Sequence, residues 1–220
     1  MTGGDLDRFL LRVIHDLRVP LRQAALQAQI LQRFAGGKVG SEGESQIATI
    51  LEAHRHAGEF LTRLSDYCQA GFGLPELPPV SAGILLARAM RSFEQTEPDV
   101  LIDVDAMPDA LVPVSLQKVF SELLDNARKF RKGPVRIRIG GRSQGSECFF
   151  EIWDDGIGIE PQYAEIVWEP LERLHGPQEY PGVGLGLAIC RRIVTALGGR
   201  IWADQAPGGG SIFSFSVPAL

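Results

Sequence analysis

ELLDNARKF, residues 122–130, gathers unusual residue types for a helical segment: Glu122, Asn126 and Lys129 recur at i, i+4 and i+7. That spacing puts all three on one face of a helix. A carboxylate and an amide oxygen on a shared face can hold Mg2+, a hard cation that prefers oxygen, and a neighbouring ammonium can meet a phosphate. A polar helix face is ordinarily just solvated, so the stretch gains meaning only from what accompanies it.

Three glycine-bearing segments follow. In WDDGIGIE, residues 153–160, Asp154 ends a strand, and Gly156 and Gly158 permit a tight turn beside a ligand. A carboxylate there can accept a hydrogen bond from an exocyclic amine such as that of adenine. In GVGLGLAI, residues 182–189, Gly182, Gly184 and Gly186 lead into a helix whose first N–H groups suit a triphosphate. In PGGGSIFSF, residues 207–215, three glycines precede a strand beginning at Ser211. Each segment alone is a common turn or hairpin.

Around these segments the pattern mixes strands and helices. A helix at 81–93, strands at 100–105 and 111–114, and a helix capped by Ser115 and running to 130 are expected first. Strands at 135–141 and 148–154, helices at 162–168 and 184–197, and strands at 200–204 and 211–217 complete the C-terminal part. The first third is different. Apolar residues recur at helical spacing from Phe9 to Phe34 and again from Ile47 to Cys68, separated by the glycine-rich AGGKVGSEGES. Two helices alone bury too little surface, so the hairpin is expected to double into a dimeric four-helix bundle. GFGLPELPP, residues 71–79, reads as the linker. The expected fold is thus a helical hairpin, residues 1–71, followed by an α+β two-layer sandwich, residues 72–220.

Composition narrows the field. With 45% hydrophobic and 22% charged residues the chain is an ordinary globular one. A formal net charge of −5 offers no attraction to nucleic acid. Three scattered cysteines, Cys68, Cys148 and Cys190, fit neither a disulfide framework nor a zinc ribbon and point to a reducing cytoplasm. No apolar run reaches the ~20 residues needed to cross a bilayer, although a longer, membrane-anchored parent remains compatible with this.

In their order and spacing between residues 122 and 215, the four motifs resemble the N, G1, G2 and final glycine boxes of the GHKL ATPase superfamily, the Bergerat ATP-binding fold. The resemblance implies that Asp154 reads adenine and that Asn126 ligates Mg2+ with help from Glu122. It also implies that Lys129 approaches the phosphates and that residues 171–182 form a lid.

VIHDLRVPL, residues 13–21, is similar to the H-box of sensor histidine kinases, in which a phosphoaccepting histidine is followed by an acid and, five residues on, by proline. His15, Asp16 and Pro20 match. An imidazole with a reference pKa of ~6.5 is largely neutral near neutral pH and needs a base only for the proton it sheds, a task that suits Asp16. Pro20 offers no N–H to the Asp16 carbonyl and is expected to bend the helix. Arg18, one turn beyond His15, is placed to steady the phosphorylated product. His54, His56 and His175 match no motif and read as structural.

The whole chain therefore resembles a histidine kinase core: ATP and Mg2+ as cofactors, a homodimer through residues 1–71, and a response-regulator receiver as partner. The wording of residues 173–189 looks most like kinases with PAS or phytochrome-type sensors, yet the chain contains no recognisable sensor domain. Two departures stand out. Trp168 and Leu171 occupy positions where the family usually has phenylalanine, and Val19 replaces the usual threonine or asparagine, which implies weak phosphatase activity. A nucleotide-sensing adaptor would not need Glu122 and Asn126 intact. A serine kinase or a repair-type ATPase of the same superfamily would not need the His15 helix.

Overall fold

Two long helices form the N-terminal part of the chain, α1 (Gly3–Ala35) and α2 (Gly40–Ala70). In the computed structural model, which describes residues 3–35, 39–70, 77–91, 99–176 and 179–219, the chain divides into units Met1–Phe72 and Gly73–Leu220. Ile14, Leu61 and Cys68 pack together within the hairpin, with Leu10, Leu11, Leu21 and Leu64 around them. The helix α1 continues through Pro20. The helix α2 starts earlier than its apolar stripe predicts, because Gly40, at φ +66°, turns the chain into it and Gly43 is accommodated in its first turn. The cost of a helical glycine, ~1 kcal/mol, is outweighed by extending the helix. Apolar surface remains uncovered on both helices, at Leu17, Leu26, Leu31, Phe34, Ile50 and Phe60 among others.

The second unit is a sheet layer and a helix layer. Its strands are β1 (Val80–Ser81), β2 (Val100–Val104), β3 (Leu111–Val112), β4 (Val135–Gln144), β5 (Glu147–Asp154), β6 (Arg200–Gln205) and β7 (Ser211–Pro218). Five of them form one sheet in the order β2-β4-β5-β7-β6, with β2 parallel to β4 and the other neighbours antiparallel. The two-residue strands β1 and β3, of which only β3 was legible in the sequence, pair separately. The helices are α3 (Ala82–Met90), α4 (Leu116–Lys129) and α5 (Gly186–Ala196).

Strict alternation explains the core. Cys148, Phe150 and Ile152 of β5 face the helices and pair across the sheet with Val217, Phe215 and Phe213. The Phe150 ring stacks on Phe215 at 4.9 Å between centroids, and Phe120 of α4 meets both rings edge-on at 5.5 and 5.6 Å. This aromatic triad, fully buried, locks α4 to the middle of the sheet.

Three sequence expectations are corrected. The helix expected at 162–168 is a pair of single 3-10 turns, Pro161–Tyr163 and Ile166–Trp168, which let Trp168 reach the core and meet Phe213 edge-on at 5.9 Å. Ser115 occupies the N-cap position of α4 but caps nothing with its hydroxyl. It has helical dihedrals, and the first N–H groups are met instead by the carbonyls of Pro113, Val114 and Ser115. The helix α5 begins at Gly186 rather than at 184, because Gly184 holds φ +75°. Of the expected linker, residues 71–76 lie outside the described residues, as does the end of the helix expected at 81–93.

Replacing Phe150 with alanine should cost the second unit about 3–5 kcal/mol in chemical denaturation, as for other buried aromatics. Phe149→Ala, on the half-buried opposite face of β5, should cost less than half as much. Equal losses would contradict the assignment of the core to one face.

Candidate nucleotide-binding site

The helix α4 buries Leu116, Val119, Phe120, Leu123, Leu124 and Ala127, and this fixes the rotation that sets Glu122, Asn126 and Lys129 along one stripe. Glu122 is buried, and its Oε1 lies 3.2 Å from Nζ of Lys118 one turn earlier. Asn126 and Lys129 are half-buried. The helix ends at Phe130, whose N–H donates to the Asn126 carbonyl at 3.0 Å. The Phe130 carbonyl in turn accepts the N–H of Ile157 at 3.0 Å, so the helix end is tied to the glycine turn after β5.

Asp154, the last residue of β5, is 3% exposed. Burial pushes its carboxyl up from the ordinary 3.8 to about 6, against the opposing backbone N–H groups of Gly156 and Ser211. The Gly156 N–H donates to Oδ1 at 2.9 Å. Its neighbour Asp155 points outward and accepts the Arg136 N–H at 2.8 Å. Two glycines are dictated by close approach. A Cβ on Gly156 would lie 2.4 Å from the Phe130 carbonyl oxygen, and one on Gly210, at φ +87°, would lie 1.9 Å from that of Asp154. Gly158 lies against Gly210.

The loop before α5 closes the arrangement. A Cβ on Gly182 would sit 2.6 Å from Nζ of Lys129, so these two motifs meet. The Lys129 ammonium also lies over the Phe130 ring, 4.6 Å from its centroid. That ring packs with Tyr180 at 5.0 Å and His175 at 6.1 Å, and Arg173 donates to the Tyr180 carbonyl at 2.7 Å. Leu171, at φ +68°, donates its N–H to the Gly184 carbonyl at 2.9 Å. Among the described residues no side chain caps the start of α5 at Gly186, and first-turn N–H groups of this kind suit an anion. Residues 177–178 of the expected lid lie outside the described residues.

Lys129 therefore meets Gly182, and Asp154 meets Gly156 and Gly210, while Gly158 joins the same turn. His15 and Asp16 stand in the other unit, on the exposed surface of α1. Their side chains are 81% and 83% exposed, and His15 Nδ1 is 3.2 Å from Asp16 Oδ1. Sequence reasoning missed Lys118 beside Glu122, the Phe130 carbonyl as a strut, and Ser211 as a second N–H on Asp154. Only the first had a local signal, its i, i+4 spacing to Glu122. Among the described residues no group of three or more His, Cys, Asp or Glu could hold a metal. Glu122 and Asn126 can supply at most a few protein oxygens, which suits Mg2+ shared with phosphates and water.

Gly156→Ala should lower both the melting temperature and nucleotide affinity, the latter at least ~10-fold, because the clash is with backbone rather than with a flexible side chain. Wild-type values for both, from thermal melts and calorimetry, would show that the turn does not hold the site.

Comparison with known proteins agrees with this geometry. Residues 111–220 match the family described as histidine kinase-, DNA gyrase B- and HSP90-like ATPase. Phytochrome-like protein Cph1 of Synechocystis sp. is 30% identical over 222 residues, which cover 99% of this chain and 30% of that protein. The adaptive-response sensory kinase SasA of Synechococcus sp. (strain JA-3-3Ab) is 31% identical over 96% of this chain and 59% of its own length. The chain thus spans under two thirds of both relatives. Full-length ShkA, solved in complex with AMPPNP, superposes with a TM-score of 0.73 at 23% identity, covering 96% of this chain and 46% of that one. No helix among the described residues is long and apolar enough to cross a membrane. The chain belongs to the histidine kinase-, DNA gyrase B- and HSP90-like ATPase family, and its helical hairpin followed by an α/β sandwich is the layout of a sensor histidine kinase core.

Proposed function

We propose that residues 72–220 bind Mg-ATP and that the γ-phosphoryl group is transferred to His15 within residues 1–71, then onward to an aspartate of a response-regulator receiver domain. The observation that carries this most directly is the exposed His15–Asp16 pair on α1 of a chain whose other unit is an ATPase fold. With Nδ1–H donated to Asp16, the Nε2 lone pair faces solvent as the nucleophile. Asp16 then stabilises the positive charge that grows on the ring and receives the proton that the ring sheds.

Asp154 accepts the adenine amine, a role consistent with a buried carboxylate at a strand end. Glu122 and Asn126 hold Mg2+, which when bound neutralises phosphate charge and aligns the transferred group. Lys129 and the loop at Gly182, Gly184 and Gly186 take the phosphates. The uncovered apolar positions on α1 and α2 support dimerisation through residues 1–71 into a four-helix bundle.

Two outcomes are expected. Wild-type protein incubated with γ-labelled Mg-ATP should acquire an acid-labile label that His15→Ala does not acquire. Label persisting in His15→Ala would place the acceptor elsewhere.

Asp154→Asn should lose most ATP affinity in calorimetry yet melt no lower than wild type at pH 8. Because the folded pKa, about 6, lies above the ordinary 3.8, the stability that Asp154 contributes is complete below the lower value and lost as pH rises through the upper. Removing the charge should therefore recover about 3 kcal/mol at pH 8 and about half that at pH 5, less whatever is lost from the hydrogen bonds. A variant that keeps ATP affinity, or that loses stability more at pH 8 than at pH 5, would contradict the role assigned to this carboxylate.

A further inference from the structure

Four arginines and one aspartate occupy residues 8–22, in a chain whose formal net charge is −5. Their placement is ordered. At ~100° per residue, Arg8, Arg12, Arg18 and Arg22 all fall within ~60° of His15 around the helix axis, two on each side of it along the chain, whereas Asp16 falls to one side. All four are exposed, as is His15. Among the described residues, Arg12, Arg18 and Arg22 make no ion pair. On α2, by contrast, Glu52 and Glu59 hold Arg55.

The guanidinium groups at −3, +3 and +7 from the phosphorylated position lie ~60°, ~60° and ~20° from His15 around the helix, whereas the core residue Ile14 lies ~100° away. Resting on the histidine kinase function proposed above, we infer that Arg12 and Arg22, flanking Arg18, form a cationic docking track for the receiver domain. The track recognises an anionic surface around the acceptor aspartate. The chemistry of transfer supports an anionic occupant, because the acceptor is itself a carboxylate and must approach a phosphoryl group that repels it. Guanidinium groups bracketing His15 offset that repulsion and draw the two surfaces together. Transfer itself is balanced within the pair: the Nε2–P bond breaks, an aspartyl O–P bond forms, and the imidazole is returned neutral after taking up one proton.

The test uses the full chain. Receiver domains from the source genome are screened for uptake of label from phosphorylated wild type, and the fastest serves as probe against Arg12→Gln/Arg22→Gln, with Arg18 left intact. The double variant should label His15 from Mg-ATP at the wild-type rate. Its kcat/KM for transfer should fall ~10-fold at low salt, chiefly through KM, and the difference should shrink as ionic strength rises towards about 0.5 M. Equal transfer rates at every salt concentration would overturn the docking track. So would a matched loss of His15 labelling, which would assign the track to the ATP-binding unit instead. Absence of label on His15 in the wild type would overturn the kinase function and the docking track together, and is read separately, before any receiver is added. Restoration by Arg12→Lys/Arg22→Lys is the expected check that charge, not packing, is responsible.

Discussion

The buried carboxylate of Asp154 is the constraint around which the C-terminal unit is arranged. A charge at a nearly solvent-free strand end is costly, and it is tolerated because two backbone N–H groups, from Gly156 and Ser211, converge on it. Both donors need glycine nearby. Gly156 must pass under the Phe130 carbonyl, and Gly210 must pass against the carbonyl of Asp154 itself. The end of α4, the turn after β5 and the start of β7 are thereby forced into one place. Lys129, the residue before Phe130, is brought to Gly182 by the same geometry. A nucleotide site so built spends folding stability on recognition, a common arrangement where a polar group must be held ready for a ligand.

The helical unit follows another logic. Its own core is thin, and its remaining apolar residues face outward, so its stability is coupled to whatever covers them. On that helix the exposed His15–Asp16 pair is chemically simple, one imidazole oriented by one carboxylate. In the function proposed above, the demanding part of phosphoryl transfer, binding and aligning a triphosphate, falls to the other unit.

Much of this was legible in the sequence because the decisive residues report locally. The i, i+4, i+7 spacing on α4 is visible without knowing what the helix packs against, and the alternation in CFFEIWD and SIFSFSV gives both strands and their buried face. What escaped was non-local. Nothing near Phe130 announces that its carbonyl will meet Ile157, and nothing near Gly210 announces Asp154, since each pairing is a product of sheet order. The segment at 162–168 has helix-compatible residues throughout, but the need to seat Trp168 against Phe213 breaks it into two short turns. Ser115 shows the same override at smaller scale, because backbone carbonyls already serve the N–H groups its hydroxyl was expected to cap.

The proposed function turns on which atom of which residue receives phosphate. Protein carrying 15N-histidine, incubated with Mg-ATP and examined by 31P and 1H–15N NMR, should show one phosphoramidate bonded to Nε2 of His15, with the Nδ1 proton shed. Phosphate on Nδ1, or on none of the histidines, would contradict it.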